Sequence, residues 1–273
     1  MEGLRIVIEQ DAEIVFNKRV AVDAFLMGLR SPEIAAEAVP GQFFMIRAGQ
    51  NMDPLLRRPF SICGALDDLV LVLYRVVGRG TRIMSDTGEG ERLQVLGPLG
   101  KGFVRPHAGQ HAILAAGGMG LAPLLFLSRS MAPESYTFLA GFGSANQIVE
   151  ADELGLSGIK MSIATDDGSA GHHGLVTELL EKGPAGLSVN RGMVFSCGPL
   201  PMLKAVAAIT HERAIPCQVS LEAAMACGLG ACQGCAVKAA AGQDRAYWHL
   251  CQDGPVFDAT DLDWGGALNG EAA

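Results

Sequence analysis

Three of the seven cysteines in this chain lie within nine residues, in the stretch MACGLGACQGCAVK at 225–238. Together with a cysteine further downstream they form the spacing C-x4-C-x2-C-x15-C, made by Cys227, Cys232, Cys235 and Cys251. The first two intervals are those of a plant-type [2Fe–2S] site, in which the fourth thiolate comes from a more distant segment. The spacing therefore predicts that these four cysteines hold a [2Fe–2S] cluster.

The residues between the first three cysteines are almost all small, among them Gly228, Gly230 and Gly234. Without bulky side chains, backbone N–H groups approach the anionic sulfurs closely, and glycine also permits positive φ angles. Two other interpretations stay open. The cysteines could bind zinc, although zinc modules usually carry two C-x2-C pairs and only one is present here. They could also be four buried cysteines without any ligand.

Composition indicates a packed globular protein and argues against several functions. The chain has 273 residues, 49% hydrophobic and 18% charged, which is room for two or three modules and is unlike a disordered chain. No apolar run approaches the ~18–20 residues that span a bilayer, and the first residues lack the pattern of a signal peptide. We therefore predict a cytoplasmic protein, whose thiols stay reduced and form no disulfide framework. A net charge of −8 without a basic cluster argues against nucleic acid as a partner.

The length and spacing of apolar segments divide the chain into three regions. Residues 1–105 contain short apolar runs separated by Gly, Pro and Asp, which predicts an antiparallel β-barrel or sandwich. Residues 106–216 alternate apolar strands with amphipathic helices, among them a helix expected over ANQIVEADEL, which predicts an α/β nucleotide domain with a parallel sheet. Residues 217–273 hold the cysteine loop and an acidic, turn-rich tail, and form the expected cluster domain.

Two segments of the first region carry residues suited to a flavin. In RRPFSI, Arg58 can fork onto a diphosphate and the Ser61 hydroxyl can reach the polar edge of a flavin. In LYRVVGRGTRIMSD, a strand leads through glycines into a helix beginning near Gly80 and Thr81, where backbone amides can bind a phosphate. Each segment alone is also compatible with an ordinary strand end or turn.

The second region offers a dinucleotide site. In LAAGGMGLAPLL, Gly118 and Gly120 lie between a predicted strand and helix, although Pro123 stands where a G-x-G-x-x-G motif has its last glycine. Cys197 ends a later strand just before a helix and is predicted to face a nicotinamide, unless it is simply a small buried residue. No Arg or Lys immediately follows LAGFGS to bind a 2′-phosphate, which favours NAD over NADP.

In this order, the motifs resemble the ferredoxin-reductase superfamily with an added C-terminal [2Fe–2S] domain. Within it, the chain resembles the electron-transfer subunits of heteromeric, NAD-linked dihydroorotate dehydrogenases. The resemblance implies a six-stranded barrel that binds FAD, a Rossmann-like NAD domain and an iron–sulfur domain, with NAD as co-substrate. It also implies the following flavin contacts: Arg58, Pro59, Phe60, Ser61, Leu73, Tyr74, Arg75, Gly80 and Thr81. Gly118, Gly120 and Cys197 would lie by the nicotinamide nucleotide.

The resemblance implies an activity that needs a second protein. After three modules are assigned, no residues are left for a domain that oxidises an organic substrate. The family supplies an FMN-containing TIM-barrel subunit that oxidises dihydroorotate in pyrimidine (UMP) biosynthesis, in a heterotetramer with two copies of each subunit. Electrons would pass from that partner through [2Fe–2S] and FAD to NAD⁺.

Three alternatives are weighed against this activity. One is the small subunit of an NADH-dependent ferredoxin:NADP oxidoreductase, in which an Asp is expected in place of one cysteine ligand. Another is a self-sufficient NADH:acceptor reductase, which would reduce a dye with NADH alone. The last, from a different class of protein, is a non-enzymatic zinc-binding interaction module, expected to be colourless.

Overall fold

The computed structural model of the chain describes residues 7–49, 53–107, 109–149, 158–183 and 192–265. The first part of the chain contains six strands and two short helices. The strands are β1 (Ile8–Arg19), β2 (Ala24–Arg30), β3 (Phe43–Arg47), β4 (Arg58–Leu66), β5 (Leu69–Arg75) and β6 (Arg92–Leu99). The helices are α1 (Pro32–Glu37) and α2 (Arg79–Asp86).

These six strands form a closed barrel in the order β1-β2-β5-β4-β3-β6, with every pair antiparallel. The barrel closes through the pairing of β1 with β6, and because successive side chains of a strand point to opposite faces, each strand has an inner and an outer face. In β3, Phe44 and Ile46 belong to the apolar core of the barrel, whereas Phe43 and Met45 pack outside it. Outward-facing apolar residues of this kind need a second layer, which the rest of the chain supplies.

The described residues in the rest of the chain contribute nine strands and three further helices. The strands are β7 (His111–Gly117), β8 (Tyr136–Phe142), β9 (Met161–Thr165), β10 (His172–His173), β11 (Gly192–Cys197), β12 (Cys217–Ser220), β13 (Ala236–Lys238), β14 (Tyr247–His249) and β15 (Val256–Asp258). The helices are α3 (Leu121–Arg129), α4 (Val176–Lys182) and α5 (Leu200–Glu212).

Seven of these strands form one sheet in the order β10-β9-β8-β7-β11-β12-β15. All neighbours are parallel except β12 and β15. Strands β8, β9 and β10 follow β7 in chain order on one side of it, and β11 and β12 lie on its other side. The carboxyl ends of β7 and β11 therefore form a topological switch point, which is where open α/β sheets bind ligands. The α/β prediction for this region is confirmed.

Two details differ from expectation. The segment ANQIVEADEL begins with only a 3-10 turn at Ala145–Gln147, followed by extended backbone at Ile148, and residues 150–157 lie outside the described part. The boundary expected before Cys217 falls at the start of β12, which pairs with β11. We therefore propose that the nucleotide sheet continues to Ser220 and that the cluster segment begins after it.

Two cysteines outside the cysteine loop serve the packing. Cys63 and Cys217 are buried in apolar clusters, and burial raises the pKa of each thiol to about 12. Both therefore stay neutral thiols at physiological pH. No helix in the described part of the chain is long and apolar enough to cross a membrane.

Candidate functional site

The four cysteines of the predicted cluster site lie in two pairs. The Sγ atoms of Cys235 and Cys251 are 3.3 Å apart. Cys232 donates its backbone N–H to the Sγ of Cys227 at 3.5 Å, and the side chains of these two residues also contact each other. Among the described residues, no three His, Cys, Asp or Glu side chains are grouped so as to hold a single metal ion. The structure thus brings the sulfurs together as two pairs rather than as four around one point.

Backbone amides of the loop point at the sulfurs, as its small residues predict. The N–H of Leu229 donates to the Sγ of Cys227 at 3.4 Å, and the N–H of Gly230 donates to the Sγ of Cys251 at 3.1 Å. A further donor is the backbone of Cys251 itself, 3.5 Å from the Sγ of Cys235. Gly230 has a φ of +80°, in the region that glycine adopts without strain.

The same amides control the charge of Cys227. Partial burial favours the neutral thiol, but the backbone N–H groups of Cys232 and Leu229 outweigh it and lower the pKa of Cys227 to about 6. In contrast, burial and the adjacent Cys235 raise the pKa of the Cys251 thiol to about 12. Cys227 therefore already favours the thiolate form of a ligand, whereas Cys251 would need a cation beside it to lose its proton.

At the barrel, Arg58 lies beside the first turn of α2. A Cβ added to Gly80 would lie 3.6 Å from the Nε of Arg58, and a Nη of the same guanidinium donates to the carbonyl of Leu56. The hydroxyl of Thr81 accepts the backbone N–H groups of Val77 and Gly78 at 3.0 and 3.1 Å. Thr81 thus holds the turn before α2 in place. The Arg58 guanidinium lies beside the first turn of this helix, whose backbone N–H groups have no acceptor within the helix.

The other residues of the predicted flavin site divide by exposure. Pro59, Phe60 and Ser61 are partly exposed along β4. Leu73 and Tyr74 are buried, and the Tyr74 hydroxyl donates to Asn17 Oδ1 at 3.0 Å within the barrel core. The Tyr74 ring is therefore a packing group in this structure, and its predicted flavin contact stays a prediction.

Arg75, the last residue of the predicted flavin set, lies at the end of β5. Its Nε is 3.3 Å from a carboxylate oxygen of Asp23, in a partly exposed ion pair. The side chain is therefore held close to the barrel wall, and its predicted flavin contact also stays a prediction.

At the switch point, the turn after β7 and the turn after β11 touch through their backbones. A Cβ on Gly120 would lie 2.1 Å from the carbonyl oxygen of Cys197, so no larger residue fits. Gly118 instead has a φ of +53° and nothing within 4 Å of its added Cβ. Gly120 therefore permits close packing, whereas Gly118 supplies an open left-handed turn.

Cys197 lies at this edge, but its side chain is fully buried. Burial raises the pKa of its thiol, and the nearby carboxylate of Glu222 adds to the shift. The sulfur is not exposed in this structure, so the expected contact between this thiol and a nicotinamide stays a prediction.

Glu222 is a residue at this edge that sequence reasoning missed. It follows β12, whose last residue Ser220 pairs with Cys197. The residue is exposed to solvent, but protein atoms packed around its carboxyl raise the pKa of that group. The only signal available in the sequence was a carboxylate two residues beyond a strand end.

Known proteins similar to this chain match it over most of its length. Residues 222–263 match the family model described as the iron-sulfur cluster binding domain of dihydroorotate dehydrogenase B. A dihydroorotate dehydrogenase B (NAD(+)) electron transfer subunit of Desulforamulus reducens is 38% identical over 258 residues, covering 93% of this chain and 98% of that protein. The corresponding subunit of Listeria monocytogenes is 40% identical, covering 84% and 89% of the two chains.

One solved structure is similar over nearly the whole chain. It is the structure of an NADH-dependent reduced ferredoxin-NADP oxidoreductase, with a TM-score of 0.80 and 28% identity. The alignment covers 97% of this chain and 92% of that chain. Since the curated relatives match at higher identity over most of their length, this chain belongs to the family of dihydroorotate dehydrogenase B (NAD(+)) electron transfer subunits.

Proposed function

We propose that this chain takes single electrons from a partner dihydroorotate dehydrogenase subunit and delivers them in pairs to NAD⁺. The paired cysteines carry this proposal, because they supply a one-electron site next to modules built for a flavin and a nicotinamide. The overall reaction removes two electrons and two protons from dihydroorotate. NAD⁺ takes both electrons and one proton as hydride, and the second proton goes to water. The product, orotate, belongs to pyrimidine biosynthesis.

Two pairs of sulfurs suit two irons better than one zinc. A [2Fe–2S] cluster with four cysteine ligands takes two thiolates on each iron, whereas a single zinc ion needs its four ligands around one point. Cys227 and Cys232 would serve one iron, and Cys235 and Cys251 the other. The N–H groups of Leu229 and Gly230 would stabilise the charge on the sulfurs.

The barrel residues fit a flavin dinucleotide. Arg58 and the start of α2 present positive charge and N–H donors to one region, which suits the diphosphate of FAD. Ser61 is three residues further along β4, partly exposed, where a hydroxyl can reach the polar edge of the isoalloxazine. FAD supplies the chemistry that joins one-electron and hydride donors, because a flavin exchanges either one or two electrons.

The nucleotide module is proposed to bind NAD at the switch point. Gly118 and Gly120 keep side chains away from the turn between β7 and α3, so that a nucleotide can approach the backbone. Cys197 and Glu222 lie at the adjacent strand ends. These residues bind and orient, and no acid–base pair is needed for hydride transfer itself.

The donor is proposed to be an FMN-containing TIM-barrel subunit, in a complex with two copies of each chain. The name of the relatives, an electron transfer subunit, implies a catalytic partner for them. In this chain, Cys232 is exposed and Leu229 is 52% exposed, both in the cysteine loop. We propose that the partner docks on this loop, because there its cofactor comes closest to the cysteine site.

An anaerobic absorption spectrum with iron, zinc and flavin analysis tests the cofactors. We expect a brown-yellow protein that contains FAD and about two irons per chain. Mixing it with the partner subunit should allow dihydroorotate to reduce NAD⁺. A colourless, zinc-containing chain would support the interaction module instead. A coloured chain that transfers electrons only between NADH, ferredoxin and NADP⁺ would support the oxidoreductase similar in structure, despite its four cysteines.

Arg58→Ala should weaken FAD binding by about 10- to 100-fold, because a hydrogen bond to a charged group contributes about 1.5–3 kcal/mol. Flavin dissociation constants, measured by fluorescence after deflavination, provide the readout. Arg82→Ala is the matched control, because this exposed arginine lies on α2, the helix beside Arg58, and its replacement removes the same charge. Equal weakening in both variants would show that overall charge, not the position of Arg58, determines affinity.

A further inference from the structure

The cysteine loop touches the barrel wall at one glycine. Gly228, the residue after Cys227, has a φ of +74° and is buried. A Cβ added there would lie 2.8 Å from the Cγ of Met45 and 3.2 Å from the Cδ1 of Leu99. The first distance is shorter than real Cβ contacts, so the loop backbone already lies directly against the Met45 side chain. Any side chain at position 228 would push the loop away from the barrel.

Met45 connects this loop to the strand of the proposed flavin site. It is fully buried, and it lies in the same apolar cluster as Cys235 and Cys251. Its backbone pairs with Pro59 of β4, which stands between Arg58 and the other two residues of the predicted flavin motif on that strand. One side chain therefore contacts the cysteine loop while its own backbone is part of the ladder that carries the flavin residues.

From this contact we propose that Met45 is a positioning residue: it sets the separation of the cysteine loop from β4 and thereby the rate of electron exchange between the two sites. The proposal rests on the proposed function, since it assumes a cluster in the loop and a flavin along β4. Beyond the proposed function, it names the residue that fixes the separation between the cluster and the flavin.

The physical reason is that packing at this point cannot adjust without movement of the loop. Protein interiors are close-packed, so a change of one methyl group at a contact displaces its neighbours. A thioether side chain fills an irregular gap between a loop and a sheet well, because it is unbranched and polarizable. Electron exchange falls as the separation grows, so a small displacement of the loop appears as a slower rate.

The test is a double-mutant cycle in the cofactor-loaded chain bound to its partner. Gly228→Ala inserts a methyl group at the contact, and Met45→Ala removes the atoms that it meets. Stopped-flow absorbance after mixing with NADH separates flavin reduction from cluster reduction. Electron paramagnetic resonance of the reduced, frozen protein reports the environment of the cluster independently of turnover. Iron, flavin and thermal unfolding are measured for every variant.

Gly228→Ala should slow cluster reduction by roughly tenfold while flavin reduction keeps its rate, since misplacements of about 1 Å cost up to ~100-fold between reacting groups. The double variant should regain most of the lost rate. Gly242→Ala is the matched control, because its φ is +92° and nothing lies within 4 Å of the added Cβ. It adds the same kind of backbone strain in the same module without touching the barrel.

Two single variants keep the test decisive if Gly228→Ala does not fold. Met45→Leu conserves volume and should keep the parental rate and spectrum, whereas Met45→Ala should slow cluster reduction and change the resonance signal. A parental rate in Gly228→Ala or Met45→Ala, or a double variant as slow as Gly228→Ala, would overturn the role of Met45. Absence of iron or flavin in the parent chain would instead overturn the proposed function.

Discussion

Replacing Cys232 by serine should remove the iron from the chain and abolish reduction of NAD⁺ by dihydroorotate in the complex. NADH-dependent dye reduction and the bound FAD should survive. A serine hydroxyl stays protonated where a cysteine thiolate would bind, so one iron would lose half of its protein ligands. The flavin residues lie on β4, β5 and α2, and Cys232 is exposed, so its replacement creates no cavity in their core.

Iron analysis, the visible spectrum and two activity assays check this result. Cys217→Ser is the control, since it changes the same atom in a residue outside the cysteine loop. It should keep its iron even if it loses stability. Retention of two irons in Cys232→Ser would show that Cys232 is not a ligand. Simultaneous loss of FAD and dye reduction would show that the cluster segment and the barrel fold as one unit.

The second large effect is expected for Gly120→Ala. Its added methyl group would lie 2.1 Å from the carbonyl oxygen and 2.3 Å from the carbonyl carbon of Cys197. These are backbone atoms of β11, which pairs with β7 and β12 and so cannot move aside. We expect a loss of about 3 kcal/mol or more in the free energy of unfolding, at the upper end of overpacking effects. NAD binding should be lost with it, since the switch point itself is displaced.

Thermal unfolding provides the measurement for Gly120→Ala. A loss of about 3 kcal/mol should lower Tm by roughly 10 °C in a chain of this size. Gly118→Ala is the matched control, since its φ of +53° is strained for alanine but nothing lies within 4 Å of the added Cβ. That variant should lose only about 1–2 kcal/mol. Equal destabilisation of the two variants would contradict the steric explanation and leave backbone strain as the common cause.

The cluster motif could be predicted from the sequence because its chemistry is local. Cys227, Cys232 and Cys235 are close in the chain, and the small residues between them leave the backbone amides free to reach the sulfurs. The fold classes of the first two regions, a β-barrel and a parallel sheet, were predictable for a similar reason. The spacing of apolar residues indicates which faces of a strand or helix are buried. The segment ANQIVEADEL shows the limit of that signal. Its described residues, 145–149, form a 3-10 turn at Ala145–Gln147 and then extended backbone at Ile148.

Residue roles at the flavin and nucleotide sites were harder to predict. The glycines of the switch point were identifiable as a turn, but Gly120 is required because of Cys197, which lies on another strand. Tyr74 belongs to a motif of the resembled family, yet its ring is fixed inside the barrel by Asn17. Glu222 carried no motif and is placed beside Cys197 by the pairing of β11 with β12. Each of these roles depends on a partner that is distant in the chain.

From its residues alone, the chain could be assigned to its family, and the four cysteine ligands and the order of the three modules could be predicted. These properties depend on residue spacing and on which faces of each element are apolar, and both follow directly from the order of the residues. Three features became visible only in the folded chain: the sulfurs lie in two pairs, β12 and β15 extend the nucleotide sheet, and Gly228 lies against Met45. Close packing is the reason, because it selects contacts by shape between segments that no local pattern connects.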